Sequence, residues 1–325
     1  MPARSADPAE SRDGVAMTNL DQPLFEGADA TKRDLVDYLD AMSERMVRVL
    51  EQRPLSVIRA HRGESPFMQK NLPKAAPEWV QSVTMWAEAS RRDVRYALCN
   101  DRRTLLWFAN QRAVEYHPGL TRVERPDRVT HLVLDLDPPP GDTFGAAVAA
   151  ARLVREVLDS AGLHGAAKTS GAKGVHVFVP VDLETDVADA AAATRAIAAR
   201  AAALDPDNAT TAFVKDDREG KVFVDATRAG GATVVAAYSP RARPGVPVSF
   251  PVTWDDLGAV TPSDITIKTA VPLLDGRDPW HDGMPAPQRL PAALVDEGHA
   301  IPGGRVEAMH EGRRRRRAAG DRPPP

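Results

Sequence analysis

Between residues 130 and 225, three apolar runs alternate with two helical patterns, and that order admits few folds. The runs cover 130–137, 175–180 and 221–225, short stretches rich in Val and Leu as expected of strands. The stretch 144–158 places Val148, Leu153, Val154, Val157 and Leu158 at helical spacing and stops at Gly162. The stretch 187–204 is Ala-rich and helical. Strand, helix, strand, helix, strand predicts a mixed α/β domain. Upstream, Thr31 caps a helix whose apolar residues are Leu35, Val36 and Leu39.

The first run, Thr130-His-Leu-Val-Leu-Asp-Leu-Asp137, ends in two acids followed by Pro138-Pro-Pro-Gly141. Strand alternation puts Val133, Asp135 and Asp137 on one face and Leu132, Leu134 and Leu136 on the other. Two carboxylates so spaced can grip one or two hard divalent cations. The same pair also occurs in glycosyltransferases and phosphatases, and a solvated strand end before a proline turn is the plain alternative. The stretch Lys168-Thr-Ser-Gly-Ala-Lys-Gly-Val-His176 feeds the second run. Its small residues let backbone N–H groups approach an anion, and Ser170, Lys173 and His176 add donors. It is not a Walker A loop, because a strand follows where a helix should. The third run, Lys221-Val-Phe-Val-Asp225, makes Asp225 a candidate third metal ligand, with Arg228, Arg241 and Arg243 beyond it suited to phosphate. Three strand-end acids beside a Ser/Lys/His loop match two-metal nucleotidyl transfer.

With 43% hydrophobic and 27% charged residues, the chain has the composition of a soluble globular protein. A formal charge of −3 excludes a dedicated DNA-coating protein and confines any nucleic-acid surface to a patch. Cys99 is the sole cysteine, which excludes an internal disulfide and fits a cytoplasmic location. No apolar run is long enough to suggest a membrane span. Residues 1–17 are expected to be a disordered tail, 18–290 the catalytic domain, and 291–325 a basic Pro/Arg-rich tail carrying the arginine run 313–317.

In the order and spacing of its motifs the chain resembles the polymerase domain of bacterial ligase D, a branch of the archaeo-eukaryotic primase superfamily used in non-homologous end joining. The resemblance runs from about Thr18 to about Leu290. It rests on Thr31-Lys32-x-Asp-Leu, Phe67-Met-Gln-Lys70, Thr104-Leu-Leu-Trp-Phe-Ala-Asn110, Glu115-Tyr-His-Pro118 and Asp135-Leu-Asp-Pro138. Further downstream it rests on the 168–176 loop, the 221–225 run and Tyr238-Ser-x-Arg-Ala-Arg-Pro-Gly245.

The resemblance implies an α/β (α+β) primase-polymerase fold: two α/β modules around a mixed sheet, with an RRM-like catalytic core. It implies that Asp135, Asp137 and Asp225 bind two catalytic ions, Mn²⁺ or Mg²⁺. It implies that Ser170, Lys173 and His176 hold the triphosphate of an NTP or dNTP, with Arg241 and His117 nearby. Phe67 matches an aromatic that stacks on template DNA, and Lys70 a DNA-contacting lysine. Asn19 and Lys32 match residues that bind the 5′-phosphate of a downstream strand. The implied activity is template-dependent polymerisation that fills gaps or extends ends, with a taste for ribonucleotides. DNA at gaps or double-strand-break ends is the implied partner, alongside Ku and a separate ATP-dependent DNA ligase, since no Lys-x-Asp-Gly ligase element is present. Two alternatives stand beside it: a primase starting strands de novo, and a non-catalytic DNA-end-binding module.

The chain departs from the pattern at the rim of the site. Asn19-Leu-Asp-Gln22 has glutamine where many relatives carry lysine, which predicts weaker dependence on a downstream 5′-phosphate. Ala226-Thr-Arg-Ala-Gly-Gly follows Asp225 where the family usually has an aromatic and an Arg-Asn or Gln-Asn pair. Phe67-Met68 replaces a common Phe-Phe pair.

Overall fold

A computed structural model describes residues 10–303 apart from 62, 88–91, 142 and 231–232. The first nine residues and the arginine run 313–317 therefore lie outside the described residues.

The N-terminal module begins with helices α1 (Lys32–Ala41) and α2 (Ser43–Leu50). Thr31 starts α1 through a capping box: its Oγ1 accepts from Asp34 N at 3.2 Å, and Asp34 Oδ2 accepts from Thr31 N at 2.6 Å. Leu35, Val36 and Leu39 are fully buried, as their spacing predicts. The module's sheet comprises β1 (Leu55–Arg59), β2 (Phe67–Gln69), β3 (Ser82–Ala87), β4 (Arg92–Ala97) and, after helix α3 (Arg102–Asn110), β5 (Ala113–Pro118). Strand β1 pairs antiparallel with β5 and β2, and its first residue meets the β3–β4 hairpin through Leu55↔Ala97.

The second module is β6 (His131–Asp137), α4 (Phe144–Ser160), β7 (Ala166–Thr169), β8 (Val175–Pro180), α5 (Val187–Leu204), β9 (Ala209–Thr210), β10 (Val222–Asp225) and β11 (Pro251–Val252). Its sheet runs β9-β10-β6-β8-β7-β11, antiparallel except for β9–β10. The strand–helix–strand–strand–helix–strand unit is the RRM-like arrangement. Leu132, Leu134 and Leu136 on β6 and Val175, Val177 and Val179 on β8 are all wholly buried, forming the sheet face on which α4 and α5 pack. The opposite face turns its acids to a cleft. Tyr38 ties the modules together by donating to the Tyr238 carbonyl at 2.7 Å.

Two expectations need correction. The 1–17 segment is not uniformly loose: Ser11–Arg12 pairs with Val15–Ala16, Val15 and Met17 are buried, and Arg12 pairs with Asp37 at 2.6 Å. The C-terminal tail does not begin at 291, because helix α6 (Ala292–Ala300) packs on α5 with Leu294 buried. Arg200 clamps Glu297 of α6 by a charge-assisted pair at 2.5 Å. The proline-rich 240–247 segment doubles back, bridging Pro240 to Val248 around Val246 at φ 49°.

Candidate active site

Register assembles the site. On β6, Asp135 lies directly opposite Asp225 of β10 on one side and His176 of β8 on the other; His176 in turn lies opposite Lys168 of β7. Cross-strand partners share a face, so Asp225, Asp135, His176 and Lys168 form one polar row across four strands. Asp137, two residues further along β6, extends the same face toward the cleft mouth.

Each member of the row is held by its neighbour. Asp135 is 7% exposed; its Oδ1 is 3.0 Å from His176 Nε2 and its Oδ2 is 2.8 Å from the Arg228 guanidinium. Burial alone would raise the Asp135 carboxyl, but His176 and Arg228 outweigh it and hold it below the usual carboxylate range. Lys168, fully buried, donates from Nζ to His176 Nδ1 at 2.9 Å and to Ser249 Oγ. With Nδ1 accepting, the imidazole must present Nε2–H to Asp135. Burial and then Lys168 push the imidazole down to about 4, and burial with Arg241 pushes the lysine well below its ordinary value. Asp225 caps the turn after β10 by accepting from Thr227 N at 2.8 Å, and its Oδ2 is 3.2 Å from Arg228. Asp137 is pushed up to about 6, by burial and then by Asp135.

The cleft has a volume of about 230 Å³ and is lined by Asp135, Asp137, Ser170, Lys173, His176 and Arg241, with His117 on its N-terminal wall. The predicted loop residues therefore converge with two of the three acids, and Asp225 adjoins them through Asp135 and Arg228. Ser170 Oγ accepts from Gly174 N at 3.1 Å and Ala172 N at 3.3 Å, which folds the loop tightly and leaves the hydroxyl hydrogen free to donate. Gly171 has φ +66°, and a Cβ there would lie 2.6 Å from Arg241 Cγ, so the residue admits no side chain. Lys173 Nζ reaches the Pro139 carbonyl at 3.0 Å, spanning the cleft entrance.

Glu115 on β5 is a residue that sequence reasoning did not select. It is 3% exposed, and its Oε2 is 2.8 Å from His117 Nε2 and 3.1 Å from Arg241 Nε. Its Oε1 accepts from Ala242 N at 2.9 Å. One buried carboxylate thus orients both the histidine and the arginine expected beside the nucleotide. The i, i+2 spacing of Glu115 and His117 on a strand was the available signal. Arg228 and Lys168 were present in the motifs, but nothing local revealed that they face the acids.

The remaining predicted residues lie on the N-terminal module. Phe67 is 38% exposed on β2 and stacks on His61, with centroids 5.3 Å apart and planes at 21°. Lys70 is exposed just beyond it. Asn19 is exposed at φ 53°, whereas Lys32 is buried beneath it. Lys32 Nζ donates to the Thr18 carbonyl and to Asn110 Oδ1, both at 2.6 Å, and burial pushes it down to about 8. Lys32 therefore braces the Asn19 turn from below instead of standing at the surface.

The donor set suits a hard divalent cation, since Asp135, Asp137 and Asp225 offer carboxylate oxygen only. Asp137 is shifted upward by burial first and by the neighbouring Asp135 second, and a bound cation would oppose both. Among the described residues, no three His, Cys, Asp or Glu side chains close into a metal cage. The Arg228 guanidinium lies between two of the acids, 2.8 Å from Asp135 and 3.2 Å from Asp225.

Strand-borne acids facing a cationic loop satisfy what nucleotidyl transfer requires, and the fold with its site defines a nucleotidyltransferase of the primase-polymerase class. Residues 31–280 match the model of the LigD primase-polymerase domain, and the chain belongs to that family. The bifunctional non-homologous end joining protein LigD of Bacillus subtilis is 32% identical over 287 residues, which is 86% of this chain and 46% of that protein. The multifunctional non-homologous end joining DNA repair protein LigD of Mycobacterium tuberculosis is 32% identical over 259 residues, 76% of this chain and 34% of that protein. The chain thus spans less than half the length of these relatives. The solved polymerase domain of M. tuberculosis ligase D in complex with DNA superimposes with a TM-score of 0.77 at 29% identity, covering 83% of this chain and 97% of that one. Among the described residues no helix is long and apolar enough to cross a membrane.

Proposed function

We propose that the chain is a template-dependent, divalent-metal-dependent DNA/RNA polymerase that fills gaps or extends ends in non-homologous end joining and favours ribonucleotides. The observation that carries this reading is the register that sets Asp225, Asp135 and His176 side by side, with Asp137 next along the strand. Asp135, Asp137 and Asp225 would hold Mn²⁺ or Mg²⁺, two ions, which when bound lower the pKa of the primer 3′-hydroxyl and neutralise the leaving pyrophosphate. Arg228, which lies 2.8 Å from Asp135 and 3.2 Å from Asp225, would have to give up those contacts for the ions to bind there. Lys173, the Ser170 hydroxyl and Arg241 hold the triphosphate, and Glu115 keeps Arg241 and His117 aimed at it. Positioning and charge stabilisation supply most of the catalysis.

On the N-terminal module, Phe67 offers a face for template bases and Lys70 a charge for the backbone. Asn19, braced by Lys32, receives a downstream 5′-phosphate, weakly because Gln22 adds no charge. The catalytic unit comprises 18–290 together with the packed Ser11–Ala16 pairing before it and α6 behind it. The implied setting is the cytoplasm, with gapped or broken DNA as substrate and Ku and an ATP-dependent ligase as co-workers. The DNA-bound M. tuberculosis domain supports the choice of DNA.

The test is primer extension on gapped and unprimed templates, with Mn²⁺ or Mg²⁺ and either sugar. We expect extension of the primed template by the natural chain. Asp135→Ala combined with Asp137→Ala should abolish it while leaving the fold intact. Equal extension by both proteins, or none by either, overturns the reading.

A further inference from the structure

A second cavity, of about 190 Å³, lies on the same sheet face as the acids but toward the other end of the strands. His131, one of its lining residues, shares the β6 face with Asp135 four residues away, about 13 Å along a strand rising ~3.3 Å per residue. The cavity lies between α2, the 118–122 turn and the short helix Pro279–Gly283. Val234 and Val235 line both this cavity and the catalytic cleft, so a single stretch of chain separates them.

The floor of the cavity is aromatic. The Phe178 ring meets Trp280 edge to face with centroids 5.0 Å apart, and meets His131 at 5.8 Å. The rim is cationic: Arg45, Arg48, Arg53 and Arg122 line it against a single lining carboxylate, Asp278. That carboxylate is already engaged, accepting from the Tyr238 hydroxyl at 2.6 Å and from His281 N at 3.2 Å. Arg48 is paired with Glu44 at 2.5 Å and lies 3.8 Å from the second oxygen of Asp278, and Arg122 lies 3.7 Å from Glu51; Glu44 and Glu51 stand outside the lining.

Arg45 and Arg53 meet neutral oxygens. Arg45 donates from Nε and a terminal nitrogen to the Arg277 carbonyl, at 2.9 and 2.7 Å. Arg53, 7% exposed, donates to the carbonyls of Gly119 and Leu120 and to Thr130 Oγ1. The four guanidiniums share three carboxylates, while Arg45 and Arg53 take neutral oxygens, so the rim keeps positive charge that an anion would neutralise. Guanidinium forks suit phosphate, and aromatic faces suit a base. The cavity is smaller than the ~300–1,000 Å³ that encloses a drug-sized ligand, so it takes the base inside and leaves the phosphate at the rim.

We infer that this cavity is a second nucleotide-binding site, separate from the Ser170/Lys173 loop, with the base against Trp280 and Phe178 and the phosphate among Arg45, Arg48 and Arg122. It stands independently of the polymerase reading, since none of these residues belongs to the catalytic cleft.

The experiment is calorimetric titration of the full chain in EDTA with AMP and, separately, with inorganic phosphate. The proteins compared are the natural chain, Arg45→Ala with Arg122→Ala, Arg122→Lys, and Lys173→Ala. AMP affinity should fall at least tenfold in the double alanine variant. It should stay within about threefold in Arg122→Lys, which keeps the charge and reports on folding, and within twofold in Lys173→Ala. Inorganic phosphate should bind at least tenfold more weakly than AMP. The proposal falls if the natural chain does not bind AMP, or if the double variant binds it equally well. It also falls if the loss appears in Lys173→Ala instead, or if phosphate matches AMP and leaves the aromatic floor without a role.

Discussion

Gly174→Ala tests how closely the triphosphate loop is fitted to the acid-bearing strand. A Cβ at this position would lie 2.5 Å from the carbonyl oxygen of Leu136, the residue between Asp135 and Asp137, and 3.4 Å from Ser170 Oγ. The obstacle at Leu136 is backbone in a central strand and cannot rotate away. Reaching an ordinary contact requires a separation of about 0.9 Å, and overpacking of this kind costs about 1–3 kcal/mol. The same shift carries Ser170 and Lys173 away from Asp135 and Asp137, and a misplacement of about 1 Å lowers rates by roughly 10²-fold. We expect a loss of about 100-fold in kcat/KM for primer extension with a lower denaturation midpoint. Gly145→Ala is the control: a Cβ there meets nothing within 4 Å, and alanine favours α4 by roughly 0.5–1 kcal/mol. If Gly174→Ala keeps kcat/KM within threefold of the natural chain, the loop is not seated against β6 as described.

Three further outcomes are expected. Burial, with Arg53 and Arg122, pushes His131 down to about 3, so the folded state resists a proton that the unfolded chain accepts below pH ~6.5. Stability should therefore fall as pH drops from 6.5, by at most about 2 kcal/mol at pH 5, and urea denaturation of His131→Leu should show a shallower decline. Gly298→Ala would place a Cβ 1.8 Å from the Ala192 carbonyl oxygen, so α6 should lift from α5 and hydrogen exchange in 292–300 should rise sharply. Lys168→Met removes the donor that fixes His176 and should lower kcat about 10–100-fold, as loss of an orienting partner does at metal sites, with KM little changed and stability preserved.

How much of this was legible in the chain depends on the range of the interaction. The strands at 131–137, 175–180 and 222–225 and helices α4 and α5 follow from local alternation and helical spacing, and they fall within a residue or two of expectation. The cleft was legible as a set of residue types, but register was not: no local signal sets Asp225 opposite Asp135, because that pairing spans most of the module. Glu115 was passed over because its partners, Arg241 and the Ala242 amide, lie more than a hundred residues downstream. Helix α6 was hidden for another reason. It contributes one deeply buried apolar side chain, Leu294, and a glycine contact that hydrophobic patterning cannot register.

The polar row across β10, β6, β8 and β7 has a consequence for folding. Side chains alternate between faces, so pairing any of these strands one residue out of step would turn a member of the row into the face that α4 and α5 must cover. An isolated acid, imidazole or lysine driven there would lose the partners that now satisfy it. The misregistered sheet is penalised by the very residues that make the site. Catalytic groups and strand alignment therefore stand or fall together, and the chain has little access to a compact state with an intact core and a scrambled centre.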